Sequence, residues 1–491
     1  VSPDLALGRE HYARLRWADA YEVLVRADRA APLELPDLQL LALSAGLSGH
    51  EEEQLRLFER VCGVHSEAGD STAAGLWAFW IGFRLYGLGE PGRANGWLAR
   101  AQRFVEQSGE ESVVCGYLLI PVARRHIASG DRDAAFRVAL DAAAIGERFA
   151  EKDLVVFARN LQARIRVQQG RFEEGLALLD EVMLAATAGE LSPPITGIVY
   201  CAAIEACHEA YAFDRAREWT NAFAAWCEKQ PQLAPFAATC LVHRAEILSL
   251  GGDWAEAIEE ARRACRLSPT RVQPATGDAL YQEAEVHRMR GEYAAAEEAY
   301  RRANDHGRDP QPGLALLRLS QGRCDAAVTA IRRAVDAVAG ALERAKLLPA
   351  LVEISLAAGD LPGARAASER LSAIAASYDV DVLAAMAGHA RGAVHLAEGD
   401  ARAALPLLRR AFEVWQRVGA PYIAARLRVS LARACHALGD EDGAELELSA
   451  ARQVFERLGA AGDIATLDRD EEPESTEHHG LTVRELEVLR L

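Results

Sequence analysis

Lysine is nearly missing from this chain, with three residues (Lys152, Lys229 and Lys346) against 52 arginines. None of the three follows a glycine, so the phosphate-cradling loop G-x-x-x-x-G-K-[ST] is absent, and with it the ATPase motor built on that loop. Long apolar runs are missing too. The longest, "VVCGYLLIPVA" over 113–123, is about half the ~20 residues that cross a bilayer. The segment "VSPDLALGREHY" has neither the basic flank nor the apolar core of a secretory signal. These absences predict a cytoplasmic chain with no membrane partner. The nine cysteines form no Cys-x-x-Cys pair, which argues for reduced, mostly buried thiols rather than a disulfide framework or a zinc site.

Catalytic patterns are equally scarce. His208-Glu209 opens an H-E-x-x-H sequence, but Ala212 stands where the second histidine would be, so the metalloprotease geometry is missing. No G-x-S-x-G occurs. The stretch "GLGEPG" satisfies G-x-G-x-x-G at Gly87, Gly89 and Gly92. The nucleotide fold needs a strand before it, whereas "LWAFWIGFRLY" reads as a helix, so these glycines are expected in an inter-helix turn. No enzyme activity and no cofactor are expected.

Charge divides the chain. Of the formal −17, residues 463–480 carry −6 and residues 481–491 carry none, leaving −11 for the first 462 residues. Such a body has no general attraction for phosphate backbones.

What the chain does contain is a repeated unit. Glycine, an acid or arginine and then alanine recur as "GEPGRA" (Gly89), "GDRDAA" (Gly130), "GRFEEG" (Gly170), "GDWAEA" (Gly252), "GEYAAA" (Gly291), "GRCDAA" (Gly322), "GDLPGA" (Gly359), "GDARAA" (Gly399) and "GDEDGA" (Gly439). The spacing is close to 40 residues, apart from one double interval, whose middle turn is disguised as "AFDRA" at 212–216, and a short interval of 31. "RWADAY" at 16–21 follows the same grammar without its glycine. Helical apolar spacing on both sides of each turn means stacked hairpins. The fold class predicted is all-α, a right-handed superhelical solenoid of about 11–12 helical hairpins with essentially no sheet, occupying residues 1–462.

Two units resemble the tetratricopeptide repeat. Ala284, Gly291, Tyr293, Ala296, Tyr300 and Ala303 stand where that family places small or aromatic packing residues, as do Gly252, Trp254, Ala257, Ala264 and Pro269. In such an array the first helix of each hairpin lines a concave groove. Its inward positions would be Val242, Glu246 and Ser249, then Tyr281, Glu285 and Arg288. Arg124, in a basic cluster on another first helix, and His208 complete the candidate ligand-binding set, with a small-molecule effector, a peptide or a protein as occupant. The usually apolar packing position holds Arg244 and then Glu283, which suggests an ion pair between neighbouring hairpins. "DPQPG" over 309–313 should start its helix late, leaving a helix N-terminus suited to an anion.

Residues 463–480 read as an acidic flexible linker. "LTVRELEVLRL" over 481–491 then begins a new amphipathic helix, with Thr482 and Glu485 spaced as a capping box. Leu481, Thr482, Arg484, Glu485, Glu487, Val488 and Leu489 resemble the first helix of the LuxR-type helix-turn-helix domain. That resemblance implies a bacterial transcriptional regulator whose repeat array senses an effector or partner, possible homodimers, and DNA contact only through helices missing from this chain. The alternative is a protein-interaction scaffold that takes peptides in the groove and has no DNA role.

Overall fold

The computed structural model describes residues 3–230, 232–234, 236–267 and 274–471. Among them are twenty-five α-helices and no strand. The first fourteen are α1 Pro3–Ala13, α2 Trp17–Ala30, α3 Leu35–Leu47, α4 Glu51–Glu67, α5 Ser71–Gly87, α6 Pro91–Ser108, α7 Val113–Ala128, α8 Arg132–Arg148, α9 Lys152–Gln168, α10 Phe172–Thr187, α11 Pro193–Glu209, α12 Phe213–Glu228, α13 Ala237–Gly251 and α14 Trp254–Leu267. There follow α15 Pro274–Met289, α16 Tyr293–Asp305, α17 Gly313–Ser320, α18 Cys324–Ala337, α19 Ala341–Ala357, α20 Leu361–Ala376, α21 Asp381–Ala397, α22 Ala401–Val418, α23 Pro421–Ala437, α24 Glu441–Leu458 and α25 Ala461–Glu471. Twelve hairpins and a final helix make a tetratricopeptide-like solenoid. No described helix is long and apolar enough to cross a membrane.

The turn grammar has a direct physical cause. Each hairpin turn contains one residue with positive φ, usually glycine, such as Gly130 (83°), Gly399 (82°) and Gly439 (79°), a conformation that costs a side-chain-bearing residue energy. The aspartate that follows caps the next helix. Asp131, Asp360, Asp400 and Asp440 accept hydrogen bonds from the backbone N–H of Ala134, Gly363, Ala403 and Gly443 at 2.9–3.0 Å, which satisfies a donor the helix leaves open. In the two units without the glycine, Tyr211 (57°) and Leu15 (59°) adopt the left-handed conformation themselves. Gly89 (75°) lies between α5 and α6, so "GLGEPG" is an inter-helix turn.

The chain divides into two compact units: residues 1–247 with 260–276, and residues 248–259 with 277–491. In unit 1, α1 touches α3, α5 touches α7, α7 touches α9 and α9 touches α11, and the even-numbered helices make no comparable contacts with each other. The odd-numbered row is therefore the inside of the curve. The unit also closes on itself. Trp17 and Leu47 share an apolar cluster with Leu233. Trp17 Nε1 donates to Gln230 Oε1 at 3.3 Å, Ala234 N donates to Leu47 O at 2.9 Å, and Gln232 Nε2 donates to Asp19 Oδ2 at 2.8 Å.

Unit 2 follows the same plan, with α17, α19, α21 and α23 as touching inner helices. Its closure joins Trp254 and Ile258 of α14 and Val286 of α15 to Ala425, Ala451, Phe455, Leu458 and Leu467. The Trp254 and Tyr422 rings meet edge to face at 5.4 Å. Helix α25 corrects one expectation. The segment from Asp463 to Glu471 is helix rather than linker, because Leu467, 2% exposed, and Ile464 supply an apolar stripe that the acid-rich composition conceals. Residues 472–491 lie outside the described residues, and with them Thr482, Arg484, Glu485, Val488 and Leu489; so does Pro269.

Candidate binding surface on the inner helices

Two positions define the inner row. The residue seven before the left-handed turn residue is small or compact and buried: Gly82, Ala123, Ala163, Ile204, Ala245, Ala284, Ala315, Val352, Gly392 and Ala432. The next residue, six before the turn, faces inward with solvent access. In unit 1 it reads Phe83, Arg124, Arg164, Glu205 and Glu246 on α5, α7, α9, α11 and α13. These rungs reach each other or near neighbours. The Arg124 guanidinium carbon is 6.0 Å from the centre of the Phe83 ring, and Arg164 Nη2 is 3.4 Å from Glu205 Oε2. Glu246 Oε2 lies 3.6 Å from His208 Nε2 and 3.3 Å from His243 Nδ1. Surrounding protein lowers the Arg124 pKa, and the like charge of Arg164 adds to that, with Glu205 pulling the other way. Beside Phe83 stand Trp80 and Phe157, with ring centres at 5.7 and 5.6 Å.

Unit 2 gathers its own polar network. Tyr281, Glu285 and Arg288 of α15 come together as one group. Arg288 Nη2 donates to Glu285 Oε2 at 2.7 Å, the Tyr300 hydroxyl donates to the other Glu285 oxygen, and Arg308 lies over the Tyr281 ring at 4.6 Å. Burial opposes the charge on Arg288, but Glu285 together with the neighbouring tyrosine oxygens outweighs it, so the guanidinium is held firmly protonated. Gly313 opens the truncated α17, and a side chain there would overlap the Glu285 carboxylate and the Tyr300 hydroxyl. The helix N-terminus foreseen as an anion site thus already faces an anion of the protein itself.

Across α21, Arg426 of α23 grips Glu353 of α19 with two hydrogen bonds of 2.7 and 3.2 Å. Both side chains keep about a third of their surface, 35% and 37%, so this is a pair lining an inner wall rather than a core salt bridge. Arg426 Nε is also 3.8 Å from Asp463, whose other oxygen accepts from the Tyr422 hydroxyl at 3.0 Å. Burial raises the Asp463 pKa against the pull of Arg426. His389 of α21 is pushed down to about 4, first by burial and then by Arg426.

The structure therefore places Arg124, His208 and Glu246 on the inner wall of unit 1, and Tyr281, Glu285 and Arg288 on that of unit 2. Ser249, half-buried, uses its carbonyl to accept from Trp254 Nε1 at 3.1 Å. Arg244 Nε lies 3.6 Å from Glu260, and Glu283 lies 3.6 Å from His287. Sequence reasoning missed Phe83, Arg164, Glu205, Glu353, Arg426 and Asp463. The first four share the six-before-turn register and could have been read by extending it from Glu246 and Glu285 to the looser repeats; Arg426 and Asp463 carry no such signal. The aromatic set Tyr200, Phe223 and Trp226 is stacked packing, with Tyr200 and Phe223 buried. A surface hollow of about 470 Å³ lined by Asp325, Arg332 and Asp360 lies off the inner row and is crossed by the Arg332–Asp360 ion pair.

No protein-family model matches the chain, and no curated protein does. Among solved structures it is similar to a Rap protein complexed with competence and sporulation factor, at 14% identity and TM-score 0.49, covering 71% of this chain and 99% of that one. It is also similar to yeast Tom70, at 12% and 0.36, covering 99% of each chain, and to the APC/C hetero-tetramer Cut9-Hcn1, at 12% and 0.39, covering 92% and 94%. At these scores the likenesses say nothing about what the inner walls bind; the repeat class rests on the helices themselves.

Proposed function

We propose that this chain is a recognition module that takes an extended segment of another polypeptide along its inner helices. The observation that carries the reading is the inner row itself. In nine of the twelve hairpins a charged or aromatic side chain open to solvent sits directly beside a buried, compact residue that lets the helices pack closely; Leu43, Leu316 and Ala393 hold that position in the other three. Packed helices step by roughly 8–10 Å, which is about three residues of extended chain. A ladder with such a rung at most steps suits a linear ligand better than a compact one. Peptide binding also needs no cofactor and no reactive group, and the inner row offers hydrogen-bonding and ion-pairing side chains.

The test is retention of a random hexapeptide pool on the immobilised full chain, with bound peptides sequenced. Enrichment of a sequence pattern supports the reading, and uniform or absent retention defeats it. A second reading, that the array is the sensory part of a DNA-binding regulator, is favoured by the wording of residues 481–489 alone. It is tested by whether the natural reading frame beyond Leu491 continues through the other helices of that domain.

A further inference from the structure

The inner-wall arginines described in unit 2 are matched by acids: Arg288 by Glu285 and Arg426 by Glu353. Unit 1 differs. Arg124 and Arg164 are neighbouring rungs, and between them they face one carboxylate, Glu205, which approaches a single Arg164 nitrogen at 3.4 Å. The Arg164 Nε–H is buried with no acceptor. No hydrogen bond or ion pair from the described residues reaches the Arg124 guanidinium; its ring neighbour is Phe83. The bland alternative is a hydrated cation on a polar face. Against it, Arg124, although open to solvent, stands beside the like charge of Arg164 with no acid of its own.

We infer that Arg124 and Arg164 form a carboxylate-binding subsite on the inner wall of unit 1, with Phe83 as the shelf for an apolar group next to that carboxylate. A guanidinium presents its donors in a planar fork that fits two carboxylate oxygens, and two such forks on adjacent helices leave donors to spare. Trp80 and Phe157 extend the shelf. The inference deepens the proposed peptide recognition and rests on it for the source of the carboxylate, a chain terminus or an acidic side chain.

The probe is 3-phenylpropionate titrated into the full chain by ligand-observed NMR, with 3-phenylpropionamide as its uncharged twin. Selective binding of the acid is expected, weakened about tenfold or more by Arg124→Gln and unchanged by Arg125→Gln. Glu205→Gln removes the competing internal anion and is expected to tighten binding, an effect that damage to the fold would not produce. Equal binding of acid and amide, or Arg124→Gln and Glu205→Gln both within twofold of the parent, overturns the inference, while pattern-specific peptide retention would keep the peptide reading intact. Selective acid binding without peptide retention supports the subsite and defeats that reading. Hexapeptide pools with free and amidated ends, each with and without Asp and Glu, separate a terminal from a side-chain carboxylate.

Discussion

Gly399 and Asp400 divide one task between them. The glycine lets the chain leave α21 in a left-handed turn, and the aspartate side chain receives the Ala403 N–H at the start of α22. Asp400→Ala should cost about 1 kcal/mol in chemical denaturation, the usual value of such a cap. The converse case is Leu15, which holds φ 59° with a side chain 38% exposed. Leu15→Gly relieves that strain and should stabilise by about 0.5–1 kcal/mol, whereas Tyr211→Gly should not, because the Tyr211 ring is buried. His389 gives a pH signature. Its folded pKa of about 4 lies below the ordinary imidazole value of 6.5, so the unfolded chain binds the proton first as pH falls. Stability from this group is therefore full above pH 6.5 and lost as pH drops toward 4. An NMR titration should find the His389 imidazole neutral throughout pH 5.5–8, and His389→Gln should flatten the stability loss in that acid window. A midpoint near 6.5 would contradict the burial described for it.

For the helices, the repeat was legible wherever the glycine marked it. The period near 40 anticipated the hairpin count, and the two best-matched units assigned Glu246 and Glu285 to the register six before the turn. The small residue beside that register is what brings neighbouring helices close. Other close approaches follow the same logic: a side chain on Gly116 of α7 would meet Leu154 at 2.5 Å and Ile145 at 3.0 Å. Gly116→Ala should cost about 1–3 kcal/mol by overpacking, read as a shift in the denaturation midpoint. The acid-rich tail hid α25, since its apolar stripe is only Ile464 and Leu467 among the described residues, beside the polar anchor of Asp463. Arg426 and Tyr422 stand earlier on their helix than the inward positions read from the two sharp units. They reach the inner wall only because α19, α21 and α23 curve tightly enough for Arg426 to bridge to Glu353, and curvature leaves no mark in a single repeat.

At the scale of each whole unit, what no local pattern could reveal is closure. Trp17 and Gln230 are 213 residues apart and joined by a hydrogen bond; Tyr422 and Trp254 meet through their rings. An open groove was the natural expectation from the repeats. The structure gives instead units that close on themselves: α2 and α3 meet the segment around Gln230 and Leu233 in unit 1, and α14 and α15 meet α23, α24 and α25 in unit 2. Trp17 is 1% exposed, and Trp17→Ala should cost about 3–5 kcal/mol, with hydrogen exchange accelerating at both ends of unit 1 together. Faster exchange in α1–α3 alone would mean that the closing contact does not hold the unit shut.

The central claim, that the inner helices are the recognition surface, is tested most directly by hydrogen–deuterium exchange of the full chain with and without a peptide enriched from the hexapeptide pool. Protection is expected along α7, α9 and α11, on the segments that carry Arg124, Arg164 and Glu205, with little change on α8, α10 and α12. Protection confined to those even-numbered helices, or none anywhere at saturating peptide, would contradict it.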